Sequence, residues 1–302
     1  MTITASQVKE LREMTGAGMM EAKKALEEAT GDMDKAKEIL RQRGMATAEK
    51  KAGRAAADGL VEALVSDDKQ SGVLVEVNCE TDFVAKGEAF QSAAKQVSQN
   101  VAEKKPASVE TLREQLQGFI TEQIATIKEN ITIRRFVRYE RTAPGLVQAY
   151  IHTGGKIGVL LELSAKNAAS AQKPEVQQLA KDIAMQIASF APEFVSRNDI
   201  GQAVIDEETR IEMGKEDIQK KPADIRAKIV EGRVNKLLGE RVLIEQAFIK
   251  DPGKTVSELI AEISKAIGDE LAVVQFTRYV LGEGIEKKES NFAEEVAAAA
   301  KV

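Results

Sequence analysis

Sliding the sequence against itself by 86 positions, without a gap, lays residues 59–102 on residues 145–188. Gly59/Gly145, Leu60/Leu146, Val61/Val147 and Ala63/Ala149 match at the start, and Gly72/Gly158, Val73/Val159, Leu74/Leu160 and Glu76/Glu162 in the middle. Ala85/Ala171, Gln91/Gln177, Ala94/Ala180, Lys95/Lys181 and Ala102/Ala188 follow, which makes 13 identities in 44 pairs. Composition alone gives roughly three. Val65/Ile151, Val97/Ile183 and Val101/Ile187 add conservative pairs. A duplicated subdomain is the economical explanation, so whatever fold the chain adopts must build one unit twice.

Each copy opens with two β-rich runs, 59–66 with 72–79 and 145–152 with 157–164, separated by polar or glycine-containing turns as in a hairpin. A helix follows, with Phe90, Ala94, Val97 and Val101 on one stripe in the first copy and Val176, Ala180, Ile183 and Ile187 in the second. A second helix in the first copy (Leu112, Leu116, Phe119, Ile120, Ile127) leads to a strand-like run at 131–139, and a similar run lies at 273–279. Phe136/Phe276, Arg138/Arg278 and Tyr139/Tyr279 stand in register between them. The expected fold is α+β, each unit an antiparallel sheet with helices.

Around this duplicated core the sequence predicts three further parts. Residues 1–44 read as three short helices: Thr4 and Gln7 have capping-box spacing, Met19, Ala22, Ala25, Leu26 and Ala29 form a stripe, and Met33, Ala36, Ile39 and Leu40 carry the third helix to Gly44. The following MATAEKKAGRAAAD, all alanine and charge, suits a linker, in part helical. In the second copy, helical charged stretches at 203–218 and 223–238, joined by Lys220-Lys221-Pro222, form an inserted αα-hairpin expected to project from the sheet. Thr255 with Glu258 opens another helix, and an alanine-rich helix is expected at 290–300. The expected division is 1–55 for the N-terminal helices and linker, 56–142 for the first core subdomain, 143–281 for the second with its hairpin at about 202–239, and 282–302 for a C-terminal module.

Composition removes several kinds of chemistry. One Cys, one His and no Trp allow neither an intrachain disulfide nor the usual Cys/His zinc site. With 43 basic and 48 acidic residues, a net charge of −5, direct nucleic-acid binding gains little from phosphate attraction. No apolar run approaches the roughly 20 residues of a membrane span, and no signal segment opens the chain, so a cytoplasmic protein is expected.

The residues that remain available for chemistry are few. Glu76, Glu80 and Asp82 cluster near the end of the second strand and could serve as metal ligands or an acid–base pair, although solvated carboxylates are commoner. Cys79 shares the face of Val77, which favours a buried inert thiol over a nucleophile. Gly154-Gly155-Lys156 lacks the spacing of a phosphate loop and reads as a hairpin turn. Met19-Met20 reads as core rather than a soft contact surface. Thr81-Asp82-Phe83-Val84 is the oddity: a loop with an aromatic beside an acid, where the second copy has Asn167-Ala168-Ala169-Ser170. Phe83 either tucks beneath the loop or is presented to a partner, and the asymmetry between copies favours presentation.

TGAGMMEAKKAL (15–26), VNCETDFVAK (77–86), NITIRR (130–135), VEGRV (230–234) and GEGIEKKESNFAEEV (282–296) resemble the bacterial translation elongation factor Ts family, in order and along the entire chain. The resemblance implies a ubiquitin-associated-like N-terminal domain and a nucleotide-exchange factor for elongation factor Tu, in its GDP-bound and nucleotide-free forms. It implies a factor without covalent chemistry, hence no enzyme, and one that needs no metal, nucleotide or other cofactor of its own. It implies that the segment Thr81, Asp82, Phe83 and Val84 dislodges the partner's Mg²⁺, with Phe83 as a wedge and Asp82 beside it. Met19, Met20, Lys23, His152, Phe292 and Val296 would be further partner contacts, and the helical hairpin could pair two copies. Two other readings compete with it: an adaptor or chaperone using the small helical domain, and a metal-dependent enzyme using Glu76, Glu80 and Asp82.

Overall fold

The computed structural model describes residues 3–285. The helix expected over 290–300, with Phe292 and Val296, lies outside the described residues.

Helix α1 (Ala5–Thr15) opens on the expected capping box, in which the Thr4 hydroxyl accepts from the Gln7 N–H and the Gln7 side chain accepts from the Thr4 N–H. Helices α2 (Met19–Glu28) and α3 (Met33–Lys51) follow, the second capped by Asp32. Val8, Leu11, Ala22, Ala25, Leu26, Ala29 and Ala36 form their common core. Met19 and Met20 are not in it: they are 49% and 63% exposed, because the core is gathered around Ala22, Ala25 and Leu26 and the first turn of α2 lies beyond it. Nor does α3 end at Gly44. It runs on to Lys51, through the first half of the alanine-and-charge stretch, where the residues are mostly good helix formers. A Cβ at Gly44 would sit 3.3 Å from the Ala125 Cβ, so this glycine marks a close helix crossing rather than a helix end.

The first copy consists of β1 (Asp58–Val65), β2 (Ser71–Cys79), the single turn α4 (Asp82–Ala85), α5 (Glu88–Lys104), α6 (Val109–Ile127) and β3 (Thr132–Glu140). The second has β4 (Gly145–Ile151), β5 (Ile157–Ala165), a 3₁₀ turn (Ala168–Gln172) and α7 (Pro174–Phe190). The inserted α8 (Gln202–Gly214), α9 (Glu216–Gln219) and α10 (Ala223–Glu240) come next, then β6 (Ala247–Phe248), β7 (Asp251–Thr255), α11 (Val256–Ile267) and β8 (Leu271–Val280). The sheets are antiparallel in the orders β1-β2-β3 and β4-β5-β8, and the fold is α+β. Gly72 faces Tyr139 and Val75 faces Phe136, while Gly158 faces Tyr279 and Leu161 faces Phe276, so the register read between the third strands holds. Both sheets bulge at the same place, between Glu76 and Val77 and between Glu162 and Leu163.

Each sheet buries one face under helices: Phe90, Ala94, Val97 and Val101 of α5 with Leu112 of α6 on the first, and Val176, Ala180, Ile183 and Ile187 of α7 on the second. The other faces meet each other. Val61, Leu74 and Tyr139 pack against Val147, Leu160 and Tyr279, each the other's counterpart in the repeat. The hairpin tips dock reciprocally: the Val61 N–H donates to the Gly155 carbonyl at 2.7 Å and the Val147 N–H to the Lys69 carbonyl at 2.8 Å. Gly72 and Gly158 face Val147 with Leu160 and Val61 with Leu74, at distances that leave no room for a Cβ. The inserted hairpin has a separate small core of Ile218, Val230, Val234 and Leu238, with Ile211 and Ile225 exposed on its surface.

A Cβ at Gly158 would lie 2.4 Å from Val61 Cγ1. Gly158→Ala is therefore expected to cost about 1–3 kcal/mol in urea unfolding through overpacking alone. In a Val61→Ala background the cost is expected to shrink but not to vanish, because Leu74 Cδ1 at 2.8 Å and Ile151 Cδ1 at 2.9 Å crowd the same position; a cost undiminished there would place the strain elsewhere.

Candidate functional site

The Thr81–Val84 segment is a capped helical turn rather than an irregular loop. The Thr81 hydroxyl accepts from the Val84 N–H at 3.3 Å and the turn closes at Lys86. Four residues cannot hold a helix by themselves, so the anchor lies outside. Glu129, in the connection from α6 to β3, accepts from the Glu80 and Thr81 N–H groups, both at 3.0 Å, and from the Thr81 hydroxyl at 2.6 Å. The Glu80 carboxylate in return accepts from the Asn130 N–H at 2.7 Å. On this braced turn Phe83 stands 83% exposed. Asp82 points outward beside it, bonded to Lys86 at 2.6 Å, and that bond together with the nearby Lys156 charge holds its carboxyl below the usual range. The Lys86 ammonium lies 5.9 Å from the centre of the Phe83 ring. Glu129 and Asn130 are not identified as anchors from the sequence, where the signal on offer is the acid Asp269 at the position equivalent to Glu129 in the Phe136/Phe276 register.

The three carboxylates near the strand end do not form a ligand set. Glu76 is wholly buried on β2, whose two faces are both covered, and binds Arg134 at 2.9 Å, Arg135 at 2.7 Å and the Gly282 N–H at 2.8 Å. Glu80 pairs with Arg54 and Lys51. Of the three, only Asp82 fits the expected solvated carboxylate. Among the described residues no group of three His, Cys, Asp or Glu side chains is placed to hold a metal ion. Cys79 is buried beneath the turn, and burial, followed by the Glu129 charge, pushes its thiol up to about 12. That is the inert thiol expected from the strand pattern.

The remaining site residues fall into two groups around this turn. Lys156 and exposed His152 belong to the β4–β5 turn that docks on β1 through Gly155, and the Tyr150 hydroxyl lies 3.1 Å from His152 Nδ1. The Gly154-Gly155-Lys156 run is thus a hairpin turn. On the other side, Lys128, next to Glu129, donates to Glu21 of α2 at 2.8 Å. The exposed Met19, Met20 and Lys23 of α2 are tied in this way to the same connection that anchors the Phe83 turn.

Comparison with known proteins decides the family. The family model of "Elongation factor TS" matches residues 80–283. Over 294 residues the chain is 48% identical to the elongation factor Ts of Symbiobacterium thermophilum, covering 97% of each chain. It is 46% identical over 309 residues to that of Trichlorobacter lovleyi, covering 99% of each. The elongation factor Ts of a Nostoc species is 46% identical over 307 residues, 98% of this chain and 97% of the relative. The chain belongs to the elongation factor Ts family. Its role therefore lies in translation elongation, within protein biosynthesis. The match to the elongation factor Ts family model begins at Glu80, so it takes in the Phe83 turn, β3 of the first sheet, the whole second sheet and the inserted hairpin. Among the described residues no helix is long and apolar enough to cross a membrane.

Glu76 joins the first sheet to the chain leaving the second, since Arg135 also donates to the Val280 carbonyl at 3.1 Å. Burial alone would raise its carboxyl, but the bonds from Gly282, Arg134 and Arg135 outweigh burial and hold it below the ordinary range. A depressed carboxyl stabilises the fold above its unfolded value and loses that contribution as pH falls through the folded value. Melting of the protein is thus expected to weaken below roughly pH 4.3, the unfolded value of a glutamate. Glu76→Gln is expected to cost about 3 kcal/mol at neutral pH and to flatten this acid limb. An acid limb of unchanged steepness in that variant would assign it to other carboxylates.

Proposed function

We propose that the chain is a guanine-nucleotide exchange factor that binds GDP-loaded elongation factor Tu, displaces Mg²⁺ and GDP, and leaves the partner open to GTP. One observation carries this reading: a phenylalanine 83% exposed on a capped turn, present in one copy of the repeat and replaced by alanine in the other. An exposed aromatic costs solubility and adds nothing to the core, and one held on a braced turn is preorganised for insertion into a partner.

Mg²⁺ in a P-loop GTPase bridges the nucleotide phosphates to a Ser or Thr of the phosphate loop. A wedge that shifts the surrounding loops removes that neutralisation, and the diphosphate leaves. Phe83 supplies the volume and Asp82 the negative charge beside it, while Thr81 and Val84 fix the turn. Met19, Met20 and Lys23 on one side and His152 on the other supply binding area that does no displacing. Phe292 and Val296, outside the described residues, belong to the same proposed contact surface. The chain forms no covalent intermediate in this scheme, and both ion and nucleotide belong to the partner.

Phe83→Ala is expected to leave melting within about 1 °C, because an exposed ring contributes little to the fold, and to slow stimulated release of fluorescent GDP at least tenfold. Loss of a buried phenylalanine would instead cost about 3–5 kcal/mol. A large fall in melting with normal release would sink the wedge.

Linkage adds a second expectation. A factor that favours nucleotide-free partner is itself weakened by GDP, GTP and Mg²⁺ by the same factors by which it weakens their binding. The dissociation constant for elongation factor Tu is expected to rise with GDP and with Mg²⁺ and to fall on chelation. An affinity indifferent to both, with no faster release, would leave an adaptor.

A further inference from the structure

The brace on the Phe83 turn has a counterpart in the second copy. Aligning β3 with β8 through Phe136/Phe276 sets Lys128 opposite Gly268 and Glu129 opposite Asp269. Lys128 and Gly268 both end their helices in the left-handed region, at φ +66° and +68°. Asp269 then accepts from the Lys166 and Asn167 N–H groups at 3.2 and 3.0 Å. Those residues are the repeat counterparts of Glu80 and Thr81. Asn167 caps its turn through the Ala169 N–H at 3.0 Å, as Thr81 caps Val84. A carboxylate clamp on the turn after the second strand is therefore common to both units, whereas the side chain mounted on it is not: Phe83 in one, Ala169 in the other.

We propose that Glu129 is a positioning residue for nucleotide exchange, fixing the orientation of the turn that carries Phe83, while its counterpart Asp269 performs the same clamping with no part in exchange. This inference rests on the exchange reading above. Three donors converge on the Glu129 carboxylate, and charge-assisted bonds to backbone N–H groups are among the stronger ones available to a short turn. Four residues of helix supply no rigidity of their own. Without the clamp the Phe83 ring would still be present and still exposed, but it would sample directions, and a wedge must arrive in one. Glu129 itself need not touch the partner.

The test compares full-length Glu129→Ala with full-length Asp269→Ala, the second removing the same kind of clamp from the unit that carries no aromatic. Stimulated release of fluorescent GDP from elongation factor Tu, followed across concentrations of the factor, separates maximal rate from half-saturation. Glu129→Ala is expected to lower the maximal rate at least tenfold with half-saturation changed less than threefold. Asp269→Ala is expected to stay within twofold in both, even where its melting temperature falls as far. Glu129→Asp, the residue the second copy uses, is expected to recover most of the rate. Should Glu129→Ala not fold, Glu129→Gln carries the comparison.

A readout independent of the partner comes from the absence of tryptophan in the chain. Phe83→Trp introduces a single indole, whose anisotropy is expected to drop when combined with Glu129→Ala and to hold when combined with Asp269→Ala. Unchanged anisotropy overturns the positioning role, as does a maximal rate lost equally in both clamp variants or in neither. Failure of the unaltered protein to release GDP would instead overturn the exchange reading, with the anisotropy still deciding the role of Glu129.

Discussion

Two backbone hydrogen bonds, Val61 to Gly155 and Val147 to Lys69, tie each hairpin tip to the outer strand of the other unit. Each is worth about 1 kcal/mol net, but an outer strand with a buried, unpaired N–H would lose more than that. The tips therefore cover sheet edges that would otherwise need other protection. Behind them, Val61, Leu74, Val147 and Leu160 close the space between the sheets, and the glycines at 72 and 158 let the backbones approach. The site depends on this seam. It sets the Phe83 turn, at the end of β2, near the β4–β5 turn that carries His152 and Lys156, although the two are some seventy residues apart in the chain.

Duplication supplied two equivalent scaffolds, and the differences between them lie in what they hold. Glu76 and Glu162 occupy equivalent strand positions beside equivalent bulges. The first is surrounded by Arg134, Arg135 and the Gly282 N–H; the second by Arg141 and Gln275. The first carboxylate has become a junction between the two units, reaching the chain as it leaves β8. The turn after the second strand shows the same principle, with one clamp design and two different loads. The inserted helices went into the unit that lacks the aromatic, so the additions are shared out between the copies.

Much of this was legible in the residues. The 86-residue offset gave the duplication, the hairpins and the helix stripes, and the Phe136/Phe276 pairing gave the register of strands far apart in the chain. Thr4 with Gln7 and Thr255 with Glu258 marked helix starts because capping chemistry is local. The failures have a common cause, which is that the deciding contact comes from a distant segment. Gly44 read as a stop because the crossing helix that demands it is eighty residues away. Met19 read as core because helical spacing does not say where a core ends. Glu76 read as a solvated acid or a ligand because its arginines lie on another strand. The exposure of Phe83 was a matter of asymmetry between copies rather than of local pattern, while its anchor at Glu129 is marked only by a matching acid, Asp269, in the register set by Phe136 and Phe276.

The inserted helices have a consequence for synthesis. The first unit is complete once β3 ends at Glu140, but β5, which ends at Ala165, must wait for β8, which ends at Val280. At about 5–20 residues per second, that delay on the ribosome is on the order of 6–20 s. During it the β4–β5 hairpin has one strand edge without its partner, the kind of edge on which chains pair wrongly. The finished first unit offers that hairpin an immediate surface, through the same tips and the same valines and leucines. A first unit finished early is thus placed to cover the inner face of that hairpin and the edge of β4, leaving the edge of β5 open until β8 is made.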